Sequence, residues 1–191
     1  RIIRLINNNF SNMSQKIEYN LIDPLVEEKN VEINGDKSAF SYKDNQIWND
    51  ISWNTYRGDV HKAAGSLISI GCNSGDKVCI LGFNNYNWVT MDMAAMMTGA
   101  IPAGIYETCS AEEISYILNH SEAKVLLIED TEQWQKINEI RNDLKFLEKV
   151  ILMEGCDEIT DDLVIDWKSF MNLSNEDNRK AAFVSMGKLQ K

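Results

Sequence analysis

The chain has 191 residues and a formal net charge of −10 at pH 7. This length is enough for one domain with a substantial core, or for one domain and an appendage. The acidic balance argues against a nucleic-acid partner, because phosphate contacts need clustered Lys and Arg that carboxylates do not offset. An uncharged stretch in the apolar middle, residues 93–106, is shorter than the roughly 18 residues of a membrane span.

The cysteines and the first residues of the chain indicate the cellular compartment in which the protein is expected. The four cysteines are irregularly spaced and include no Cys-x-x-Cys pair, so no metal site is expected. In a domain of this size they indicate reduced, partly buried thiols. Arg4 and the asparagines that follow it interrupt the apolar start before a signal-peptide core forms. We expect a protein of the cytoplasm or of the cytoplasmic face of a membrane.

The first third of the chain predicts a leader, a hairpin and a helix. Residues 1–34 are polar and weakly periodic, with one short helix expected near 25–29. Two short aromatic and β-branched runs, 38–44 and 47–53, predict a β-hairpin. From residue 54 the apolar period lengthens to nearly four, which predicts an amphipathic helix that ends before Gly71.

Strands and helices alternate through the middle of the chain. Pro102 must lie near the start of its strand, since proline cannot donate to a central ladder. Ser110 and Glu113 match a capping box, which marks the beginning of a helix. The pattern predicts strands at 77–82, 101–106, 124–129 and 149–153, and helices at 88–98, 111–119 and about 130–144.

Such alternation predicts right-handed crossovers on a parallel sheet. The predicted fold class is therefore α/β and doubly wound, with a mainly parallel sheet, flanking helices and the N-terminal β-hairpin. We divide the chain into a leader (1–34), an α/β subdomain (35–155) and a helical connector toward further sequence (156–191). In the connector, Trp167 and Phe170 are expected to pack back, and a last helix to begin within 174–177.

Ligands of parallel sheets bind at the carboxyl edge, yet neither Gly-x-Gly-x-x-Gly nor Gly-x-x-x-x-Gly-Lys-Ser/Thr occurs. Gly99 and Gly104 are better explained by a helix stop and a tight strand. The turn that follows the strand at 101–106 is the better binding edge. The structural alternative is a capped turn with Tyr106 packed in the core.

Several other residues in this region have local explanations. Asn84, Asn85 and Asn87 precede or begin a helix, where asparagine caps well. Asp92 is a carboxylate in an apolar helix, so it must find donors or shift its pKa, and a structural hydrogen-bond network is expected. Trp88 and the methionines after it predict core, the alternative being the wall of an apolar tunnel.

Five short sequence segments follow one another along the chain. They are Ile-Ser-Trp-Asn-Thr-Tyr at 51–56, Gly-Asp-Lys-Val at 75–78, Asn84 to Trp88 with Asp92, the stretch from Gly99 to Ser110, and His-Ser-Glu-Ala-Lys at 120–124. Together they resemble the N-terminal part of adenylate-forming acyl-CoA synthetases. The Gly-Ile-Tyr-Glu-Thr-Cys-Ser turn at 104–110 is most similar to the long-chain and bubblegum-type fatty acid members. The resemblance implies a partial N-terminal subdomain of that fold.

The resemblance also implies a reaction and a site. Family members use ATP and Mg²⁺ to convert a fatty acid into an acyl-adenylate, and then transfer the acyl group to CoA. The corresponding loop of acetyl-CoA synthetase relatives lines the CoA site, which implicates Tyr106, Glu107 and Thr108. Glu112 and Glu113 already complement the helix dipole there, so a neutral pantetheine arm fits better than a phosphate.

Catalytic groups of the family, a Ser/Thr/Gly-rich loop, a magnesium-binding glutamate and a lysine, are not matched within these 191 residues. We therefore expect a fragment of a long-chain fatty acid:CoA ligase that is inactive alone. The alternatives are a non-catalytic α/β binding or assembly module, and another adenylating enzyme such as a medium-chain ligase. Peripheral membrane association and a homodimer of the parent protein stay open.

Overall fold

The computed structural model describes residues 4–5, 30–44, 47–153, 155–156 and 159–188. The N-terminal sheet has the order β1-β2-β3, and its strands are antiparallel. The five-stranded sheet has the order β5-β4-β6-β7-β8, and all its pairings are parallel. The strands are β1 (Arg4–Leu5), β2 (Ser38–Asp44), β3 (Ile47–Ser52), β4 (Lys77–Leu81), β5 (Ile101–Ile105), β6 (Ala123–Ile128), β7 (Lys149–Leu152) and β8 (Val164–Asp166).

Helices connect these strands and cover both faces of the parallel sheet. Residues 30–34 are helical and precede the hairpin. The helices after it are α1 (Trp53–Ser69), α2 (Tyr86–Thr98), α3 (Ala111–Ser121), α4 (Thr131–Ile140), α5 (Trp167–Asn172) and α6 (Glu176–Lys188), and a 3₁₀ turn at Arg141–Asp143 extends α4. Within the described residues, no helix has both the length and the apolarity needed to cross a membrane.

Alternate side chains of the central strands enter two separate cores. Val78 and Ile80 of β4 pack in one core with residues of α1, α2, α5 and α6. Cys79 and Leu81 point the other way, into a core with α3 and α4. All four side chains are fully buried. A parallel strand covered on both faces has a continuous apolar sequence, which is why residues 78–81 are all hydrophobic.

Helix ends follow the expected chemistry. Ser110 and Glu113 form the predicted capping box: the Glu113 N–H donates to Ser110 Oγ at 3.3 Å, and the Ser110 N–H donates to Glu113 Oε2 at 2.8 Å. Asn85 caps α2 by accepting from the Trp88 N–H at 3.0 Å. Gly99 ends α2 in the left-handed conformation, with φ of 80°, which a residue with a Cβ rarely adopts.

The predicted fold class is confirmed, including the hairpin, the three middle helices and the parallel strands. Pro102 is the second residue of β5, which is an edge strand, so no ladder hydrogen bond is lost at the centre of the sheet. Of the cluster predicted to be core, Met91, Met93 and Met97 are buried, whereas Trp88 and Met96 are only half-buried. Helix α4 ends at Ile140 instead of about 144, because its last turn tightens into the 3₁₀ segment. The helix expected near 25–29 lies outside the described residues.

The described part of the segment 156–191 contains a strand that the sequence pattern does not show. Strand β8 joins β7 in parallel and extends the sheet beyond residue 155. Trp167 and Phe170 are buried, as predicted, and the junction of α5 and α6 contacts α1 through hydrogen bonds from Ser69 Oγ to the Leu173 carbonyl, 2.8 Å, and from Asn178 Nδ2 to Ser69 Oγ, 2.6 Å. The division into domains stays a prediction.

Two glycine substitutions test the role of Gly99, whose left-handed backbone conformation ends α2. Gly99→Ala should lower the free energy of unfolding by about 1 kcal/mol or more, because φ is positive and the new Cβ would lie 2.7 Å from Ser74 Oγ. Gly58 lies in the interior of α1 with open space around it, so Gly58→Ala should raise the free energy of unfolding by about 0.5–1 kcal/mol. Urea denaturation measures both; equal effects would contradict this account.

Candidate functional site: a cleft at the carboxyl edge of the sheet

A cleft of about 460 Å³ lies where β4 and β5 end. The neighbouring carboxyl ends of parallel strands form the edge at which α/β sheets bind ligands. One wall is the turn after β4 and the other is the turn after β5. The lining residues are Gly82, Phe83, Asn84, Trp88, Gly104, Ile105, Tyr106 and Glu107.

The first wall is held by a carboxylate from the next strand of the sheet. Glu129 follows β6, and its Oε2 accepts a hydrogen bond from the Phe83 N–H at 2.6 Å. Gly82 makes this approach possible, since a Cβ there would lie 2.6 Å from Glu129 Cβ. Phe83 remains 48% exposed and lines the cleft. Glu129 therefore holds the backbone of an exposed aromatic residue that a ligand can contact.

Trp88 contributes an aromatic surface between the two walls. Asn85 caps the first turn of α2 and so fixes the start of the helix that carries Trp88. A Cβ at Gly104 would lie 3.1 Å from the Trp88 ring, which shows that the indole packs directly over this strand residue. The cleft thus has three aromatic side chains around it, those of Phe83, Trp88 and Tyr106.

The second wall is the 106–109 turn. The Cys109 N–H donates to the Tyr106 carbonyl at 3.0 Å and closes the turn. Lys136 of α4 donates to the carbonyl oxygens of Glu107 at 2.7 Å and of Cys109 at 3.2 Å. The buried Gln133 amide donates to the same Glu107 carbonyl at 3.4 Å. Side chains of α4 therefore hold a turn that is distant from them in sequence.

Electrostatics around the cleft disfavour a polyphosphate. Glu107 lines the cleft, Glu129 holds one of its walls, and Asp130 begins the next helix. The N-terminus of α3 also offers little to an anion, because the capping box already satisfies N–H groups there and Glu112 lies in its first turn. An uncharged ligand segment fits this site better. Among the described residues, no three His, Cys, Asp or Glu side chains are grouped as a metal site.

The predicted site residues occupy different positions around this turn. Tyr106 is 79% exposed, so the structural alternative that placed its ring in the core is wrong. Ile105 is the residue that points inward, at 4% exposure, and the edge position of β5 leaves the next side chain in solvent. Glu107 is half-buried in the cleft wall, and Thr108 is exposed one residue further on. Their contact with CoA stays a prediction.

Three residues that shape the cleft are missing from the sequence prediction: Phe83, Glu129 and Lys136. Phe83 had an available signal, because it follows a buried strand just as Tyr106 does. Glu129 and Lys136 had none, since each acts on a segment that lies 46 or 27–29 positions away in sequence. Their roles become visible only when neighbouring strand ends are brought together.

The surroundings of the Asp92 carboxylate on α2 differ from the prediction. Within the described part of the chain, no hydrogen bond or ion pair of its carboxylate is found, so the predicted structural network is wrong. Desolvation by burial instead raises the pKa of Asp92 above its usual value. The residue lies one turn after Trp88 on the half-buried side of the helix.

Comparisons with known proteins agree with this fold. The family described as AMP-binding enzyme matches residues 27–182. The long-chain-fatty-acid–CoA ligase ACSBG2 of Rattus norvegicus is 33% identical over 158 residues, which are 80% of this chain and 23% of that protein. The long-chain-fatty-acid–CoA ligase FadD15 of Mycobacterium bovis is 33% identical over 109 residues, 57% of this chain and 18% of that protein.

Solved structures of low sequence identity share the fold. An anthranilate CoA ligase, AuaEII, in complex with anthranoyl-AMP superposes with a TM-score of 0.69 at 21% identity, over 78% of this chain and 27% of that one. Acetoacetyl-CoA synthetase from Streptomyces lividans also gives 0.69, at 20% identity, over 78% and 25% of the two chains. The doubly wound layer of this chain is thus a layer found in CoA ligases.

Fold and cleft define an α/β subdomain with a ligand-sized opening at the carboxyl edge of its sheet. The match over 27–182 then identifies it: the chain belongs to the AMP-binding enzyme family. The resemblance to long-chain, bubblegum-type acyl-CoA synthetases is confirmed by the sequence relatives. The chain spans about a fifth to a quarter of the length of the curated relatives it matches, 23% and 18% of the two above.

Asp92→Asn should raise the free energy of unfolding at pH 7, because the folded state binds the Asp92 proton more tightly than the unfolded state does. Stability is therefore lost as pH rises from the ordinary Asp value through the raised pKa. The advantage of the variant should vanish below about pH 3.9, where both states are protonated. Urea unfolding between pH 3.5 and 7 checks this, with the exposed Asp162→Asn as control; a gain independent of pH would contradict it.

Proposed function

We propose that this chain is part of a long-chain fatty acid:CoA ligase and that its cleft lines the CoA path of that enzyme. The observation that carries the proposal is the position of Tyr106 and Glu107. They form one wall of an opening at the carboxyl edge of the sheet, in a chain whose sequence relatives are named as long-chain-fatty-acid–CoA ligases. The parent reaction would consume ATP, a long-chain fatty acid and CoA.

The chemistry of the cleft favours the pantetheine portion of CoA over its phosphates. Pantetheine is a neutral chain with apolar segments and two amide groups, so it can pass aromatic surfaces without a cationic partner. Phe83, Trp88 and Tyr106 provide those surfaces, and Tyr106 also provides a hydroxyl for hydrogen bonding. The carboxylate of Glu107 would repel a phosphate in the same place. Thr108 lies beside this wall and would contact the same chain from the exposed side.

ATP and Mg²⁺ belong to the proposed parent reaction, in which magnesium neutralises developing phosphate charge. No step of that reaction is assigned to residues of this chain, because the cleft lacks the phosphate loops that a nucleotide needs. The proposed contribution of the chain is binding and orientation of the thiol carrier. The parent protein is proposed to act in the cytoplasm or at the cytoplasmic face of a membrane.

A CoA titration of the 191-residue chain tests the cleft. Calorimetry should detect CoA binding, and pantetheine should compete with it. Tyr106→Ala should weaken CoA binding about fivefold to tenfold, since it removes an aromatic contact worth roughly 1 kcal/mol. Tyr116→Ala is the matched control, because Tyr116 is a similarly exposed tyrosine, 68% against 79%, that stacks on His120 away from the cleft. No binding by the unaltered chain, or an equal effect of both variants, would overturn the CoA assignment.

An activity assay tests the assignment of the reaction. With palmitate, ATP, Mg²⁺ and CoA, the 191-residue chain alone should form no palmitoyl-CoA, whereas the product of the complete reading frame should form it. Replacing palmitate by octanoate separates a long-chain from a medium-chain ligase. Palmitoyl-CoA from the short chain would contradict the proposed division of labour. If the protein made from the complete reading frame is also inactive, the alternative of a non-catalytic α/β binding or assembly module is favoured.

A further inference from the structure

The 106–109 turn is held from outside by a lysine. Lys136 lies on α4 and donates two of its three N–H groups to the turn. Its Nζ lies 2.7 Å from the Glu107 carbonyl oxygen and 3.2 Å from that of Cys109. The lysine is half-buried, so these charge-assisted bonds are less screened than those of an exposed ammonium. Lys136 thus links two peptide groups of the same wall to the face of one helix.

Nothing within the turn replaces these bonds. Its internal bond joins the Cys109 N–H to the Tyr106 carbonyl, which fixes the span of the turn but leaves the Glu107–Thr108 peptide to be set from elsewhere. The Gln133 amide reaches the same Glu107 carbonyl only at 3.4 Å, near the limit of a hydrogen bond. Lys136 is therefore the dominant constraint on this peptide.

The orientation of the Glu107–Thr108 peptide decides which backbone group this wall of the cleft presents outward. In a trans peptide the C=O and the N–H point in opposite directions. Because Lys136 draws the Glu107 carbonyl toward α4, the Thr108 N–H faces away from α4. Tyr106 precedes this peptide, so the backbone that carries its ring is fixed by the same bonds. A rotated peptide would turn a carbonyl, instead of an N–H, outward.

From this geometry we propose that Lys136 is a positioning residue of the cleft. Its ammonium donates to the carbonyl oxygens of the 106–109 turn and so fixes the cleft wall formed by Tyr106 and Glu107 in one orientation toward a bound pantetheine arm. This role rests on the proposed CoA function for its consequence, but the fixation of the turn is a property of the free protein. Glu129 plays the corresponding part for the Phe83 wall, through a single bond.

Amide hydrogen exchange on the ligand-free, 191-residue chain tests the fixation directly. Lys136→Met keeps most of the aliphatic stem and removes both the charge and the donors. Exchange at Cys109 should become about tenfold faster, because loss of the Lys136 bonds frees the turn. Lys136→Arg should restore most of the protection, since a guanidinium can also donate to two acceptors. Unchanged exchange at Cys109 in Lys136→Met would overturn the proposal.

Two further variants separate this role from general stability. Lys149→Met removes a lysine of β7 that donates to one backbone carbonyl, that of Asp162 at 3.0 Å, near the edge of the sheet opposite β5. It should leave Cys109 exchange unchanged. Glu129→Gln should speed exchange at Phe83 without affecting Cys109. If Lys149→Met or Glu129→Gln accelerates Cys109 as much as Lys136→Met does, the effect is global and the positioning role is refuted.

Binding measurements then connect the turn to its ligand. In a CoA titration, Lys136→Met should weaken binding about fivefold, Lys136→Arg should recover it, and Lys149→Met should match the unaltered chain. If the unaltered chain binds no CoA, the proposed function fails while the exchange result still decides the fixation of the turn. If it binds CoA and Lys136→Met binds equally well, the CoA assignment stands and the positioning role is refuted.

Discussion

Burial of strands β4 and β6 on both faces is the constraint on which the rest of this structure depends. Ile80 and Leu81, adjacent in sequence, enter different cores, one with α1 and α2 and the other with α3 and α4. A strand in this position leaves no face for solvent, so helices must cross above and below it. Those crossovers require parallel strands, and parallel strands place successive turns at one edge.

The edge created in this way becomes a candidate site because neighbouring segments hold its turns. The segment from Glu129 to Lys136 follows β6 and contacts both walls of the cleft, one through a carboxylate and the other through an ammonium. Each charge is used on backbone groups, which leaves aromatic side chains exposed to a ligand. This arrangement explains how an acidic edge can be well ordered and yet suit an uncharged chain better than a phosphate.

Membership in the AMP-binding enzyme family gives this cleft its context. The layer seen here recurs in CoA ligases at low sequence identity, with TM-scores of 0.69 against two solved structures. These comparisons show that the chains share a fold, and they do not show which residues occupy the strand ends. Glu107 and Thr108 lie after a strand end, and their chemistry is argued from this chain and not from the shared fold.

The amino-acid sequence by itself determined the α/β class, the hairpin, the capping box at Ser110 and the stop at Gly99, because each depends on residues that are close along the chain. It also predicted a binding edge near Tyr106. Only the tertiary structure decided that Tyr106 is exposed, that β8 extends the sheet, and that Lys136 and Glu129 hold the two walls. These features depend on which strand lies at the edge and which segments become neighbours in space, and such long-range contacts leave no local period or motif to read.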